Sequence, residues 1–600
     1  MKLRLLIITL FFITLGFSQN KGTITGTLLD KDAGNASLPF ANVVIKGTTI
    51  GTNTDIDGKY NLTISAGNYT VVYSFLGYES VEVPVTVVAN ETQTIDQALT
   101  AGGYTLQDVV ITNTGGREKE SALLLEQKNA VVIKQSIGAQ EMARKGVSNV
   151  AEGLKKITGI TEVGSRGLFV RGLEDRYNNL LVNNLATPSN NPYNKYISLD
   201  LFPSDIVGVI DVYKTFNPNI YGDFAGATFN IQTSRVAKSI TKLSIGVGYT
   251  TNNNLENFLI SEDADSAKGF FGLTAENRQL PSVFGSTPSS YTMTKDQSLN
   301  SYGGNKGFDV ASTKSPLNTS LDFLNAEKYD LKNGGNFSYL LYLAFNNDFA
   351  TTQGEQNRFN NNPGGYVYSS EFFTTDYNYE TSFSGLLGLN YKFNRLKLSY
   401  TGNYIKTTNS LIQDQYGIAN TSASTSPALI RTNQLDNTSY FNNQLIGEYA
   451  LNEEETQNIK AGISYAMTSY EQPDRKIFSG STNGDSDITI SVSGNNFIRQ
   501  YLDITSDSYF SGMTEYNYEF GTEEKNKKLS VGYNGYNSEM TSSYRFVIPS
   551  QIASDITTNV NNIDDSLNQL IANGEFNWRE SSNAKWQSIL SQSTNAAYAN

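Results

Sequence analysis

The chain has 600 residues, which is too long for one compact soluble domain and indicates several domains. It contains no histidine, which argues against acid/base catalysis, and no cysteine, which excludes thiolate metal sites, disulfides and cysteine nucleophiles. The net charge is −13 with scattered Lys and Arg, so no basic groove for nucleic acid is expected.

The N-terminus has the pattern of a secretory signal. Lys2 and Arg4 precede an apolar run over residues 5–15, and Gly16 and Ser18 fit cleavage after Ser18. The run is shorter than the ~20 apolar residues of a spanning helix, and no later segment supplies one. We predict a signal peptide over residues 1–18, export from the cytoplasm, and membrane residence only through strands.

Residues 22–100 predict a small β-sandwich, because short β-rich runs alternate with Gly, Asn and Asp turns. Pro84 predicts that the last of these strands lies at a sheet edge. The segment around Asp55, Asp57 and Gly58 has two interpretations, a calcium loop or a hairpin turn with Gly58 at positive φ. We favour the turn, because an EF-hand loop needs more carboxylates and a closing Glu.

The pieces of this segment occur in a familiar order. Gly26 is followed by Leu-Pro-Phe-Ala-Asn-Val at 38–43, Gly-Thr at 51–52 and Asp-Ile-Asp-Gly-Lys-Tyr at 55–60. This order resembles the carboxypeptidase-regulatory-like domain. The resemblance implies a non-catalytic domain that often precedes outer-membrane receptors of Bacteroidetes-type bacteria.

Residues 101–130 read as a linker. They contain the pentad Asp108, Val109, Val110, Ile111 and Thr112, in which three apolar residues lie between two polar ones. The plain interpretation is one more short strand. Because the pentad lies between two folded domains, it also suits β-augmentation, in which a partner's sheet edge captures an extended segment. It resembles the TonB box of TonB-dependent receptors.

Residues 131–233 mix helix and strand. Ser148 is predicted to cap a helix that carries Lys155 and Lys156 in its last turn and ends at Gly159. Four blocks follow, at 168–179, 199–207, 212–216 and 221–231, and together they resemble the plug domain of TonB-dependent outer-membrane receptors. The motif residues are Arg171, Gly172, Arg176, Pro203, Asp205, Gly222, Asp223 and Gly226.

The physical interpretation of these motif residues is structural rather than catalytic. Gly172, Gly222 and Gly226 are expected to allow turns or close packing against a wall. Arg171 and Arg176 are candidates for plug-to-wall ion pairs in a water-filled lumen, or else solvated surface charges.

From about residue 240 the hydrophobic pattern has period two. Apolar residues alternate with polar ones in five segments, Phe337–Phe345, Phe383–Phe393, Leu396–Tyr404, Ile459–Tyr465 and Leu529–Tyr533. One apolar and one polar face is typical of a barrel with lipid outside and water or a plug inside. Aromatic residues near strand ends suit an interfacial girdle or simply favour strands: Tyr391, Phe393, Tyr449, Tyr518 and Phe520.

Connection lengths give an independent test. Strands are predicted near 241–250, 318–330, 336–348, 382–393, 396–408, 439–451, 458–469, 508–520 and 528–540, with a tenth beginning near Asn595. The connections between them then alternate long and short, as in outer-membrane barrels. A plugged barrel has ~22 strands, and an open sheet edge in lipid is costly. We therefore expect a mainly β chain with an N-terminal β-sandwich, an α+β plug and an incomplete transmembrane barrel over 240–600, truncated within the barrel.

The resemblance implies a non-enzymatic receptor of the cell outer membrane, whose N-terminal domain and plug face the periplasm. Its expected partners are TonB with ExbB and ExbD, outer-membrane lipid, a scarce nutrient and a SusD-like lipoprotein. The long loops 251–317, 349–381, 409–438, 470–507 and 541–590 are expected to capture the ligand, which is a siderophore, glycan, vitamin or peptide. The alternatives are a passive porin or a structural or adhesive surface barrel. No cofactor or metal is expected, and without histidine the zinc site of a carboxypeptidase cannot form.

Overall fold

The computed structural model describes residues 21–31, 35–46, 48, 50–75, 78, 80–100, 120–129, 133–163, 167–189, 194–234, 239–332, 334–419, 427–482, 486–522, 525–581 and 587–600. The chain divides into two compact units, residues 1–112 and 113–600. The predicted signal peptide and residues 101–119 of the predicted linker lie outside the described residues. No helix among the described residues has both the length and the apolar character needed to cross a membrane.

The first unit consists of two small sheets. Its strands are β1 Lys21–Asp30, β2 Ala36–Ser37, β3 Asn42–Ile45, β4 Gly51–Asn53, β5 Lys59–Ser65, β6 Gly67–Ser74, β7 Val81–Val87, β8 Thr92–Thr94 and β9 Gln97–Leu99. One sheet has the order β2-β1-β5 with β8 and β9 on β1, and the other has the order β4-β3-β6-β7. Every second residue of β1 and β5 is buried, and the hydroxyls of Tyr60 and Tyr73 join the sheets across the core at 2.8 Å.

Two local predictions in this unit are confirmed. Pro84 lies in β7, the edge strand of the four-stranded sheet. The Asp55 carboxylate accepts the amides of Asp57 (2.9 Å) and Lys59 (2.8 Å), and Gly58 has a φ of +75°. The segment therefore closes on itself as a turn.

The second unit begins with an α+β segment. Its helices are α1 Glu120–Asn129, α2 Ala139–Arg144 and α3 Val150–Lys155, and its strands are β10 Lys134–Gly138, β11 Ile160–Glu162, β12 Leu168–Val170, β13 Asn179–Val182, β14 Leu185–Ala186, β15 Val207–Tyr213 and β16 Thr228–Thr233. Short 3-10 turns cover Asp175–Tyr177, Leu199–Leu201 and Ser204–Ile206. The main sheet has the order β10-β15-β16-β13-β14, and β15 is buried almost throughout.

The cap of α3 differs from the prediction. Asn149, not Ser148, is the N-cap, and its side chain accepts the Glu152 amide at 3.0 Å. Ser148 instead donates its amide and its hydroxyl to the Glu152 carboxylate, both at 2.9 Å. These two hydrogen bonds lower the pKa of Glu152. The helix thus begins one residue later than predicted, with a reciprocal cap split over two neighbouring residues.

The rest of the chain builds one large antiparallel sheet and its connections. The strands are β17 Ile240–Gly248, β18 Asn257–Ser261, β19 Val310–Lys314, β20 Asn318–Asp330, β21 Asn336–Asn362, β22 Gly365–Phe393, β23 Leu396–Ile418, β24 Ala428–Ala450, β25 Gln457–Thr482, β26 Asp487–Ile490, β27 Phe497–Thr522, β28 Lys525–Pro549, β29 Ile556–Asn559, β30 Trp578–Glu580 and β31 Gln587–Ala599. The helices are α4 Ala267–Phe270, α5 Lys295–Tyr302 and α6 Ile563–Asn573. The 13-stranded sheet runs from β17 through β20–β25, β27 and β28 to β30 and β31, and among the described residues its two outer strands, β17 and β31, do not pair with each other.

The predicted strands are found, but most continue far beyond their predicted ends. β20 covers residues 318–330 as predicted, whereas β21 and β22 have 27 and 29 residues and meet at residues 363–364. The predicted loops 349–381, 409–438 and 470–507 are therefore mostly strand. The error has a physical reason: these extensions are rich in Asn, Ser, Thr and Tyr, and backbone pairing continues without the apolar alternation that marks a strand in sequence.

The pairing register assigns every strand residue to one of two faces. The inner face contacts the α+β segment; Tyr342, Leu386, Ile405 and Tyr440 pack there in its core. The outer face carries the apolar sets predicted from sequence, since Phe337, Tyr391 and Leu398 follow one another across β21, β22 and β23. Large apolar side chains on this face are exposed, including Leu387, Leu445, Ile463 and Val531.

At the end of the long strands opposite the short connections 331–335 and 394–395, a layer of connecting segments covers the outer face. We call it the loop layer; it comprises residues 251–317 and 550–581. Phe308, Ile563 and Trp578 of the layer share one core with Phe478 of β25 and Phe497 of β27. It joins the strands through polar contacts with outer-face residues: Arg278 to Asn433 (3.1 Å), Asn561 to Arg431 (3.3 Å) and Glu580 to Arg545.

Candidate functional site

The tip of the β13–β14 hairpin contacts the inner face of the large sheet. Asn183 and Asn184 form its turn with φ of 54° and 68°, the left-handed conformation that a type I′ turn requires and Asn tolerates. Asn183 Nδ2 donates to Gln444 Oε1 at 2.9 Å, and Gln444 Nε2 donates to the Val182 carbonyl at 3.0 Å. Because Gln444 is only 2% exposed, water does not compete for these bonds.

Further hydrogen bonds along the hairpin and its neighbours are neutral. The hydroxyls of Thr187 and Tyr440 lie 2.6 Å apart, and Ser511 donates to the Ala186 carbonyl at 3.0 Å. Asn534 donates to the Asn219 carbonyl at 3.1 Å. The α+β segment is therefore joined to the large sheet, which we call the wall, by single, uncharged hydrogen bonds and by an apolar core that includes Tyr342, Leu386 and Ile405 of the wall. Tyr221 with Tyr536 adds a further apolar contact.

Arg171 and Gly172 form a turn directly after β12, with φ of 51° and 82°. Arg171 is exposed; its amide donates to the Gly159 carbonyl at 2.9 Å. Burial, followed by the nearby charge of Arg171, lowers the pKa of Lys214. Arg176 lies 3.6 Å from Glu174 of the same segment, and both side chains are exposed. Within the described residues neither arginine pairs with the wall, so the expected plug-to-wall ion pairs are not made by them.

A different motif residue makes the ion pair to the wall. Asp205 Oδ2 lies 2.7 Å from Lys242 Nζ on β17. Asp205 directly follows Pro203 and Ser204, which connect to α3: Pro203 bridges to Asn149, and the Ser204 amide donates to the Ser148 carbonyl at 2.9 Å. This block therefore links α3 to the wall.

The last block is tightly packed around one buried amide. Asn178 is fully buried; its Oδ1 accepts the Ala227 amide at 2.9 Å and its Nδ2 donates to the Glu174 carbonyl at 3.1 Å. A Cβ on Gly226 would lie 2.1 Å from Asn178 Oδ1, so glycine is required there. At Gly222 a Cβ would meet only the Phe216 ring, at 3.3 Å. Asp223 accepts a hydrogen bond from Asn179 at 2.6 Å.

Beyond these contacts, the inner face of the strand extensions is polar. Asp376 accepts from Gln413 at 2.9 Å across β22 and β23. Asp436 on β24 accepts from Gln434, Gln472 and the Tyr470 hydroxyl at 2.8–3.0 Å. Carboxylates and amides arranged in this way can bind hydroxyl or amide groups of a ligand. No group of three or more metal-ligating side chains is found among the described residues.

The pentad Asp108–Thr112 lies outside the described residues, so its role as a TonB box stays a prediction.

Comparison with protein families identifies the α+β segment. Residues 126–228 match the model of the TonB-dependent Receptor Plug Domain. The chain carries a TonB-dependent receptor plug domain. Residues 24–111 match the CarboxypepD_reg-like domain. The resemblances drawn from sequence are confirmed for both domains, and the predicted mainly β fold class is confirmed with them.

Relatives carry the same family name. TonB-dependent receptor P39 of Formosa agariphila is 32% identical over 159 residues, which cover 25% of this chain and 14% of the relative. TonB-dependent receptor SusC of Bacteroides thetaiotaomicron is 34% identical over 106 residues, which cover 17% of this chain and 10% of SusC. The matched segments thus span a small part of each curated relative.

Solved structures give a weaker likeness. The ferric yersiniabactin uptake receptor FyuA from Yersinia pestis aligns over 71% of this chain and 79% of its own, with 10% identity and a TM-score of 0.25. The unliganded ferric citrate transporter FecA aligns over 74% and 81%, with 11% identity and a TM-score of 0.22. With TM-scores this low, the likeness does not bear on the function of this chain.

The main plug-to-wall residues were not found from sequence. Asn183, Thr187, Tyr440 and Gln444 belong to no motif that sequence analysis identified. The Asn-Asn pair between Leu-Leu-Val and Leu-Ala was the available indication, because it predicts a two-residue hairpin turn. Gln444, the partner of Asn183, and Tyr440, the partner of Thr187, lie more than 250 residues further along the chain. No local sequence pattern indicates such distant pairs.

Proposed function

We propose that this chain acts in a receptor of the bacterial outer membrane that binds a scarce nutrient and imports it with energy relayed by TonB, ExbB and ExbD. The observation that carries the proposal is the plug domain packed against the inner face of a strand sheet through apolar contacts and uncharged hydrogen bonds, while the outer face of that sheet is apolar. In a closed barrel, a plug of this kind would block the passage and would have to be displaced to open it.

The size of the apolar face supports residence in a membrane. On β22 the apolar outer-face residues extend from Phe383 to Phe393, which is ~33 Å along a strand. With a tilt of ~40°, the band is ~25 Å tall, the height expected for an outer-membrane barrel. Aromatic residues lie at both ends of the band. Phe271, Phe345 and Phe383 form one cluster, and Tyr518 with Phe520 stack at the other end.

The chemistry of the plug-to-wall contacts supports displacement of the plug. Uncharged hydrogen bonds such as Asn183 to Gln444 contribute only ~0.5–1.5 kcal/mol each, because water replaces them when the surfaces separate. The ion pair Asp205–Lys242 is half-exposed, so its contribution is also small. A pulling force applied from the N-terminal side can therefore break these polar contacts one after another, while the apolar contacts with Tyr342, Leu386 and Ile405 supply the remaining resistance.

Energy must be supplied from elsewhere, because the outer membrane has no ATP and no ion gradient, and tight capture of a ligand makes its release slow. We propose that Asp108–Thr112 pairs with TonB as an added strand and passes the pull to the plug.

The ligand-binding surface is proposed to differ from the one expected from sequence. Residues 251–317 and 550–581 pack on the outer face, so the inner-face carboxylates and amides near Asp376 and Asp436 are the better candidates for ligand contact. Glycan, siderophore, vitamin and peptide ligands all offer suitable partners. The relative named SusC supports a SusD-like lipoprotein as a further partner.

The test uses the full-length receptor in its own cells, with the nutrient whose uptake is lost when the gene is deleted. Removal of residues 108–112 is expected to leave binding of that nutrient to the cells intact and to abolish uptake. The matched control removes five residues of the same segment, 114–118, and is expected to preserve both. Unimpaired uptake without residues 108–112, or equal loss in both deletions, would refute the proposal. Uptake that persists without TonB would favour the passive porin.

A further inference from the structure

Two carboxylates join the halves of the loop layer by capping each other's backbone. The Asp564 carboxylate accepts the amides of Phe308 and Asp309, both at 2.8 Å. In return, the Asp309 carboxylate accepts the amides of Ile563 (2.7 Å) and Asp564 (3.4 Å). Because each carboxylate binds the other residue's own amide, four hydrogen bonds join the two segments.

This contact fixes the start of α6. The N-cap residue of the helix, Asn562, makes no side-chain cap hydrogen bond, so Asp309 caps the first turn from a segment more than 250 residues away. Gly307 leaves room for the contact, because a Cβ there would lie 1.9 Å from Asp564 Oδ2. Behind the contact lies the core of the loop layer, where Phe308 stacks on Trp578 with ring centroids 6.0 Å apart.

The surroundings do not neutralise the pair. Partial burial and the neighbouring Asp564 raise the pKa of Asp309 to about 7, and Glu262 adds to the effect. Burial and Asp564 also raise the pKa of Glu262. The nearby cations are bound mainly to another carboxylate: Arg499 Nη1 lies 2.6 Å from Asp474, and Lys476 Nζ lies 4.0 Å from the same group. Both still act at a distance, Arg499 on Asp564 and Lys476 on Glu262, and they offset only part of the negative charge. Asp263, the remaining acid nearby, is paired with Arg278 at 2.8 Å.

We propose that Asp309 and Asp564 form a proton-dependent latch between residues 251–317 and 550–581, closed when Asp309 carries a proton and weakened when Asp309 is ionised. The latch is a property of the loop layer and goes beyond nutrient import. Since the pKa of Asp309 is raised in the closed state, protonation of Asp309 stabilises that state, and this stabilisation is complete below the ordinary Asp pKa of ~3.9. That effect is lost as the pH rises through about 7.

The chain offers a spectroscopic probe of the latch. It has two tryptophans, Trp578 and Trp586, and Trp578 is buried in the core behind the pair. In the full chain carrying Trp586→Phe, emission and quenching report Trp578 alone. Hydrogen exchange of the peptides containing Phe308–Asp309 and Ile563–Asp564, corrected for the intrinsic pH dependence of exchange, reports opening directly. The window is pH 5.0 to 7.5, which lies below the value of about 8 to which burial lowers the pKa of Lys476.

We expect the corrected protection of these amides to fall at least ~fivefold between pH 5.0 and 7.5. This is less than the ~tenfold per pH unit expected when the closed state binds one proton more than the open state, because water screens the pair and reduces the shift. Trp578 should become more accessible to quencher in parallel. Asp309→Asn should remove the pH dependence, whereas Asp265→Asn, an exposed carboxylate of the same segment, should leave it unchanged.

Equal protection at both pH values in the wild-type chain would overturn the latch. So would a pH dependence that survives Asp309→Asn but disappears in Glu262→Gln, because the titrating group would then be Glu262. If Asp309→Asn exposes Trp578 at every pH, the layer has failed to fold in that variant. The wild-type profile together with the Asp265→Asn and Glu262→Gln variants then decides.

Discussion

The packing around the three motif glycines of the plug predicts how much an alanine at each position destabilises the plug. Gly226→Ala would place a methyl group 2.1 Å from Asn178 Oδ1. The Asn178 side chain must then move, leaving the buried Ala227 amide without its acceptor, which costs ~1–3 kcal/mol. Overpacking adds ~1–3 kcal/mol. We expect a total of about 3 kcal/mol, or ~100-fold in the opening equilibrium of the plug.

The other two glycines provide graded controls. Gly172→Ala retains space, since nothing lies within 4 Å, but alanine at a φ of 82° costs ~1–2 kcal/mol. Gly222→Ala meets only the exposed Phe216 ring at 3.3 Å, which can shift, so a change within ~0.5 kcal/mol is expected.

The assay is hydrogen exchange of β13 and β16 in the full chain, because these paired strands flank Asn178 and Gly226. The loss of protection should be largest in Gly226→Ala, smaller in Gly172→Ala and smallest in Gly222→Ala. If Gly226→Ala protects these strands as well as Gly222→Ala does, close packing against Asn178 is not the reason for glycine at 226.

Other contacts of the plug give further predictions. Gln444→Leu leaves the Val182 carbonyl and the Asn183 amide without partners and should lower the protection of β13 by ~2–4 kcal/mol, while Gln444→Asn, which retains the amide, should cost less. Asp205→Asn should change the thermal stability of the plug by less than ~1 kcal/mol, because both members of its ion pair are about half-exposed; a larger loss would mean that the pair is the main attachment to the wall. Asn149→Ala should destabilise the plug by ~1 kcal/mol through loss of the α3 cap, whereas Ser148→Ala should cost less if Asn149 is the true cap.

Strands with strong apolar alternation could be predicted from sequence. The set Phe383–Phe393 and its neighbours lie on one face as expected, and the short connections at 331–335 and 394–395 are found where they were predicted. Alternation is informative there because one face is apolar over the whole band.

The strand extensions could not be predicted in the same way. Residues 349–381 carry polar and aromatic side chains on both faces, so their periodicity does not indicate a strand. The Pro-Gly pair at 363–364 was the one local indication of the turn between β21 and β22. Pairs such as Asp205–Lys242 or Asp309–Asp564 depend on the tertiary fold alone.

The central claim is that the outer face of the large sheet lies in lipid. Since the chain has no cysteine, single cysteines can carry a spin label without background. In the full-length protein reconstituted in lipid vesicles, a label at Leu387→Cys should be relaxed by oxygen and shielded from a water-soluble nickel complex. A label at Tyr366→Cys, which is 78% exposed near the β21–β22 turn, should show the opposite. Equal access of the nickel complex to both positions would contradict a lipid-facing sheet.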